Sequence, residues 1–144
     1  MKPAQVENFR LAMRTGMEFL LRGWWREQKA QLNYLGRREA GLAKRNETVS
    51  LTHADGLVVE YEFGARDGLP AKVIYKRKSD SEEEVAEEDR FAQFIAVNGV
   101  QTPFIIDHYR QGVQASRLNY EGIQLNMPVP DALFQKPADA KSVK

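Results

Sequence analysis

Apolar residues recur on two different periods along this chain. Between residues 4 and 28, Val6, Phe9, Met13, Met17, Leu20 and Trp24 are spaced by three or four, the pattern of a helix with one apolar side. Pro3 suits its first turn. Gly16 and Gly23 each weaken a helix by about 1 kcal/mol relative to Ala, so the pattern predicts a bend or break near Gly23. Trp24 and Trp25 point in different directions on a helix, which turns one of them toward solvent.

From about residue 30 the period falls to two. Residues 31–38 form a first predicted strand, with Leu32 and Tyr34 on one face. Residues 47–53 form a second, with Val49 and Leu51 together. The clearest strand follows: Leu57, Val59, Tyr61 and Phe63 alternate with Glu60 and Glu62. Asp55-Gly56 between these two is a hairpin signal. Asp67-Gly68 turns the chain again, lengthened by Leu69-Pro70, into a strand over 71–78 with Val73 and Tyr75 on one face. Residues 79–89 carry Glu82, Glu83, Glu84, Glu87, Glu88 and Asp89 and are expected to be a mobile acidic loop that resists edge pairing. Residues 90–97 align Phe91, Ile95 and Val97. Asn98-Gly99 is a further hairpin signal, and Pro103 marks the next strand, 100–110, as irregular at its start or near an edge. Gln111-Gly112 leads into a long last strand over 113–126 with a bulge expected at Gly122. Beyond Met127, three prolines predict an extended tail with one helical turn over Asp131 to Phe134 that seats Leu133 and Phe134. Residues 138–144 are expected to fray.

About seven strands joined by short turns make an antiparallel meander. With one N-terminal helix packed on it, the fold class is α+β: a curved, incomplete barrel-like sheet. A chain of 144 residues fits one domain, with a helical segment over 1–28, a sheet over 30–126 and a tail over 127–144.

Composition narrows the function. Hydrophobic residues at 42% and charged residues at 28% are globular proportions, not those of a disordered chain. A net charge of +1 argues against a nucleic-acid machine. Residues 1–46 nevertheless hold ten Lys/Arg against four Asp/Glu, a basic stretch suited to a solvated helix face or to anionic headgroups. There is no cysteine, which removes disulfides, thiolate metal sites and a Cys nucleophile. No run reaches the roughly 18 apolar residues of a membrane span. The early run Met17 to Leu21 is too short for a secretory leader and is flanked by Arg14 and Arg22. A chain beginning in an amphipathic helix is expected to be either cytoplasmic or trimmed.

Catalytic and cofactor motifs are missing: no Walker A loop, no GxGxxG and no HExxH. The acidic stretch lacks a Gly-centred loop with EF-hand spacing, so no metal is assigned. Of the two histidines, His108 cannot meet its neighbour Asp107 along a strand. A dyad with Ser116 has no nucleophile-elbow sequence behind it, so both histidines read as surface or sheet-edge residues. Glu60 and Glu62 share a face and read as its wet side rather than as acid and base. Aromatic and basic residues interleave at residues 75–78 and 108–110, without a nucleic-acid-binding signature. What remains is an excess of large apolar groups: Phe63, Tyr75, Phe91, Ile95, Phe104 and Ile106. They make either the core under the helix or a groove for an apolar ligand.

Several segments carry a family resemblance. Residues 94–104 place a strand, Asn98-Gly99 and then Pro103-Phe104; His108-Tyr109-Arg110-Gln111-Gly112, residues 122–126 and Pro130-Asp131-Ala132-Leu133-Phe134 follow in order. Together with residues 34–39 and 67–72, this resembles the later part of outer-membrane lipoprotein-sorting proteins of the LolA/LolB-like fold, over about residues 30–137. Those family domains are longer, with more strands ahead of the matched segment. The resemblance implies an incomplete antiparallel barrel closed by helices. It also implies a periplasmic setting, no catalytic residues, no cofactor, and a concave apolar face that holds the acyl chain of a lipid or lipoprotein. On this chain that face would be Phe63, Tyr75, Phe91, Ile95, Phe104 and Ile106. The alternative is an interaction or scaffold domain with a filled core that pairs with a second copy through a sheet edge.

Overall fold

A computed structural model of the chain describes residues 3–78 and 83–135. It is α+β, with a single open antiparallel sheet of seven strands in the order β1 to β7. The strands are β1 (Gln31–Glu39), β2 (Arg45–Thr52), β3 (Val58–Gly64), β4 (Pro70–Lys78), β5 (Glu84–Val97), β6 (Val100–Arg110) and β7 (Val113–Asn119). The turns form where their chemistry demands. Asn98 and Gly99 both take positive φ (49° and 81°), as do Gln111 and Gly112 (51° and 77°), the two-residue hairpin geometry that follows the twist of the strands.

The N-terminal helix is cut where Gly16 falls. α1 (Pro3–Thr15) ends there; Gly16 is extended (φ −60°, ψ 149°), and α2 (Met17–Leu21) restarts at once. Gly23, with φ 74°, then stops α2, and Trp24–Arg26 make one 3₁₀ turn. The break expected near Gly23 is present, and an additional one at Gly16 divides the apolar stripe. Met17, Phe19 and Leu20 of α2 are buried against Ala30, Leu51, Val59, Tyr61 and Val73, with Trp25, Leu57, Phe63, Tyr75 and Phe91 packed around them. Phe9 and Met13 of α1 are left 64% and 48% exposed.

Other expectations are corrected. β5 begins at Glu84, so Glu84, Glu87, Glu88 and Asp89 belong to a strand rather than a loop. Cations on β4 hold three of them: Lys76 with Glu84 (3.2 Å), Arg77 with Glu87 (2.7 Å) and Lys72 with Glu88 (3.7 Å). Glu83, just before β5, is outside any strand; the rest of the expected loop, 79–82, and the expected frayed end, 138–144, lie outside the described residues. β7 stops at Asn119, short of Gly122. The bulges fall instead in β1, between Tyr34 and Gly36, at the β3–β4 pairing, and at the β6–β7 pairing opposite His108 and Tyr109. The 3₁₀ turn Asp131–Phe134 forms, but Leu133 and Phe134 are 73% and 77% exposed rather than seated. No helix among the described residues is long and apolar enough to cross a membrane.

Candidate functional site

The two sides of the sheet differ chemically. Cross-strand partners share a side, so the register sorts them. One side holds the core and faces the helices. The other is polar: Arg38 bonds Glu60; Asn46 Nδ2 donates to Glu62 (2.7 Å); Arg117 grips Asp107 (2.6 and 2.8 Å), which Gln114 also meets (2.8 Å). Arg90 lies 3.9 Å over the Tyr109 ring. Glu62 is buried in this ladder, so Glu60 and Glu62 do share a face but only Glu60 keeps contact with water.

On the helix-facing side, β5 places Glu87 and Asp89, two residues of the stretch expected to be a loop. Glu87 is 1% exposed. It accepts from Arg77 Nε (2.7 Å) and Arg110 Nε (3.1 Å), and His108 Nε2 lies 2.9 Å from its other oxygen. His108 Nδ1 is 2.7 Å from Asp89. Burial alone would push the Glu87 carboxyl up; the bonds and charges of Arg77 and Arg110 outweigh it and hold the carboxyl below its usual range. His108 is thus half-buried on an interior strand, and His53 is buried beside Phe19 with ring centroids 5.3 Å apart. Neither is the surface or sheet-edge residue expected. Ser116 is the cross-strand partner of His108, yet both imidazole nitrogens already face carboxylates. Among the described residues no group of His, Cys, Asp or Glu side chains gathers as a metal site.

This ionic cluster interrupts the apolar face. Tyr75 lies beside Val59 on one flank, while Phe91 pairs with Ile106 on the other. Phe63, Tyr75 and Phe91 pack on the core. Ile95 is half-exposed on the β5–β6 hairpin, and Phe104 sits farther along the same hairpin. Of the six residues read as a ligand face, Phe91 and Ile106 line a cavity of about 380 Å³ together with Gly16, Met17 and Glu18.

A larger space lies elsewhere. Between α1 and the end of the sheet formed by the β2–β3 turn and the last residues of β4 is a cleft of about 1030 Å³. Its apolar lining is Phe9, Leu11, Met13 and Leu57; its cations include Arg10, Lys76 and Lys78. One clasp ties α1 across it: both terminal nitrogens of Arg14 donate to Asp55, each at 2.7 Å. The Arg14 bond holds the Asp55 carboxyl well below the usual carboxylate range. Sequence alone marks this cleft only faintly, because residues 7–14, 55–57 and 76–78 meet only through tertiary structure. The one local hint was that Phe9 and Met13 precede a glycine able to stop the helix before they reach the core. No family model, curated protein or solved structure matches this chain.

Proposed function

We propose that this chain is a non-catalytic binding module for an acyl chain, held in the cleft between α1 and the sheet. The observation that carries the reading is the position of Phe9 and Met13. They are the apolar side of an amphipathic helix, yet they overhang a cleft instead of entering the core. Exposed apolar groups gathered around a concavity mark a binding surface, and about 1030 Å³ is at the upper end of the 300–1,000 Å³ or so typical of small-molecule sites. The resemblance to lipoprotein-sorting proteins supports lipid or lipoprotein handling in the periplasm as the setting.

Native mass spectrometry of protein purified without detergent, followed by solvent extraction, tests this. A stoichiometric acyl lipid is expected, and Met13→Asp, a change outside the core, is expected to release it. An apo mass that persists when acyl lipids are added in excess would overturn the reading. Retention of lipid by folded Met13→Asp would remove the cleft from it.

A further inference from the structure

The cleft's cations narrow the ligand beyond an acyl chain. Its lining holds Arg10, Arg14, Lys76, Arg77 and Lys78 against Glu7 and Asp55 alone. Two of these cations are committed: Arg14 to Asp55, and Arg77 to the buried Glu87. The other three are held by no buried carboxylate among the described residues. Lys76 and Glu84 are each 67% exposed at 3.2 Å, and Arg10 with Glu7 is similarly open. Exposed pairs of this kind are worth at most about 1 kcal/mol and exchange partners easily. Lys78 makes no ion pair among the described residues. Phe9, Leu11, Met13 and Leu57 supply the apolar surface of the same cleft. An uncharged chain would leave the cations unused, and a cationic head would be repelled.

We infer that the cleft takes an anionic amphiphile: one acyl chain ending in a carboxylate or a phosphate, with the head between Arg10, Lys76 and Lys78. The inference rests on the acyl-chain reading and adds the charge of the head. Calorimetric titration of the full chain with dodecanoate, dodecyl phosphate, methyl dodecanoate and inorganic phosphate tests it. The charged chains are expected to bind about tenfold tighter than the ester, equivalent to about 1.4 kcal/mol. Added salt is expected to narrow the gap. The double variant Lys76→Glu/Lys78→Glu, at exposed positions, is expected to erase the preference while still binding the ester. Comparing dodecanoate with dodecyl phosphate identifies which head is favoured. Equal affinity for acid and ester would overturn the inference and leave the acyl-chain reading standing. Binding of none of the chains would overturn both. Inorganic phosphate binding as tightly as dodecyl phosphate would reduce the site to a general anion patch and overturn the inference.

Discussion

Glu87 shows how one side chain departs from what its neighbours in sequence imply. Within an acidic run it reads as solvated; in β5 it is enclosed by Arg77, His108 and Arg110, which come from three different positions on two neighbouring strands. Local sequence carries no sign of that enclosure, because the cations lie ten to twenty-three residues away. The energetic consequence is testable. A buried carboxylate held by charge-assisted bonds contributes more than an exposed pair, and removing its charge leaves its cations uncompensated. Glu87→Gln is expected to lower stability by about 2 kcal/mol at neutral pH. Because the folded-state carboxyl is held below its ordinary 4.5, its contribution is fully present above that value. It is lost as pH falls through the lowered one. Urea unfolding across a pH series is therefore expected to show the wild type converging on the variant in acid. Parallel pH profiles would place the carboxylate outside the stability balance.

At the scale of elements, hairpins were legible and interruptions were not. Asn98-Gly99 and Gln111-Gly112 turn the chain where they were expected, since a two-residue turn depends on its own residues; Asp55-Gly56 also turns it, within a longer connection over residues 53–57. The breaks depend on what lies across from them. Gly122 was expected to hold a bulge, but β7 has ended by then. Gly36 carries one instead, at φ 93° in β1, where Leu35 is the extra residue between Tyr34 and Gly36 in the pairing with β2. A Cβ at either glycine would meet open space, so the two positions differ in backbone alone. Gly36→Ala is expected to cost about 1 kcal/mol through its left-handed conformation, and Gly122→Ala to stay within about 0.5 kcal/mol. Thermal or chemical unfolding of the two variants checks this. An equal effect would mean the bulge relaxes without strain. The same logic explains the helix: Gly16 weakens it locally, and burial of Met17, Phe19 and Leu20 beneath a re-aimed α2 decides that the break falls there.

Among the described residues the sheet is open, and β1 and β7 are its edge strands. Such edges invite pairing with a second copy, the route by which a filled-core scaffold would dimerise. Both edges carry obstacles to it. Each has a bulge, at Leu35 in β1 and at Ala115 in β7, which twists the strand away from a straight partner. β1 also ends in Arg37, Arg38 and Glu39, and β7 carries Arg117, side chains whose desolvation or like-charge approach opposes edge contact. The acidic N-terminal part of β5, which first read as edge protection, is in the sheet's interior and is already neutralised by β4 and β6. Protection therefore rests on geometry more than on charge. Sedimentation across a wide concentration range is expected to give a monomer, and raised salt is expected to leave it one, because screening does not straighten a bulge. A dimer appearing only at high salt would show that charge was the barrier; a dimer at all salts would make an edge the functional interface and set the scaffold reading above the acyl-chain cleft.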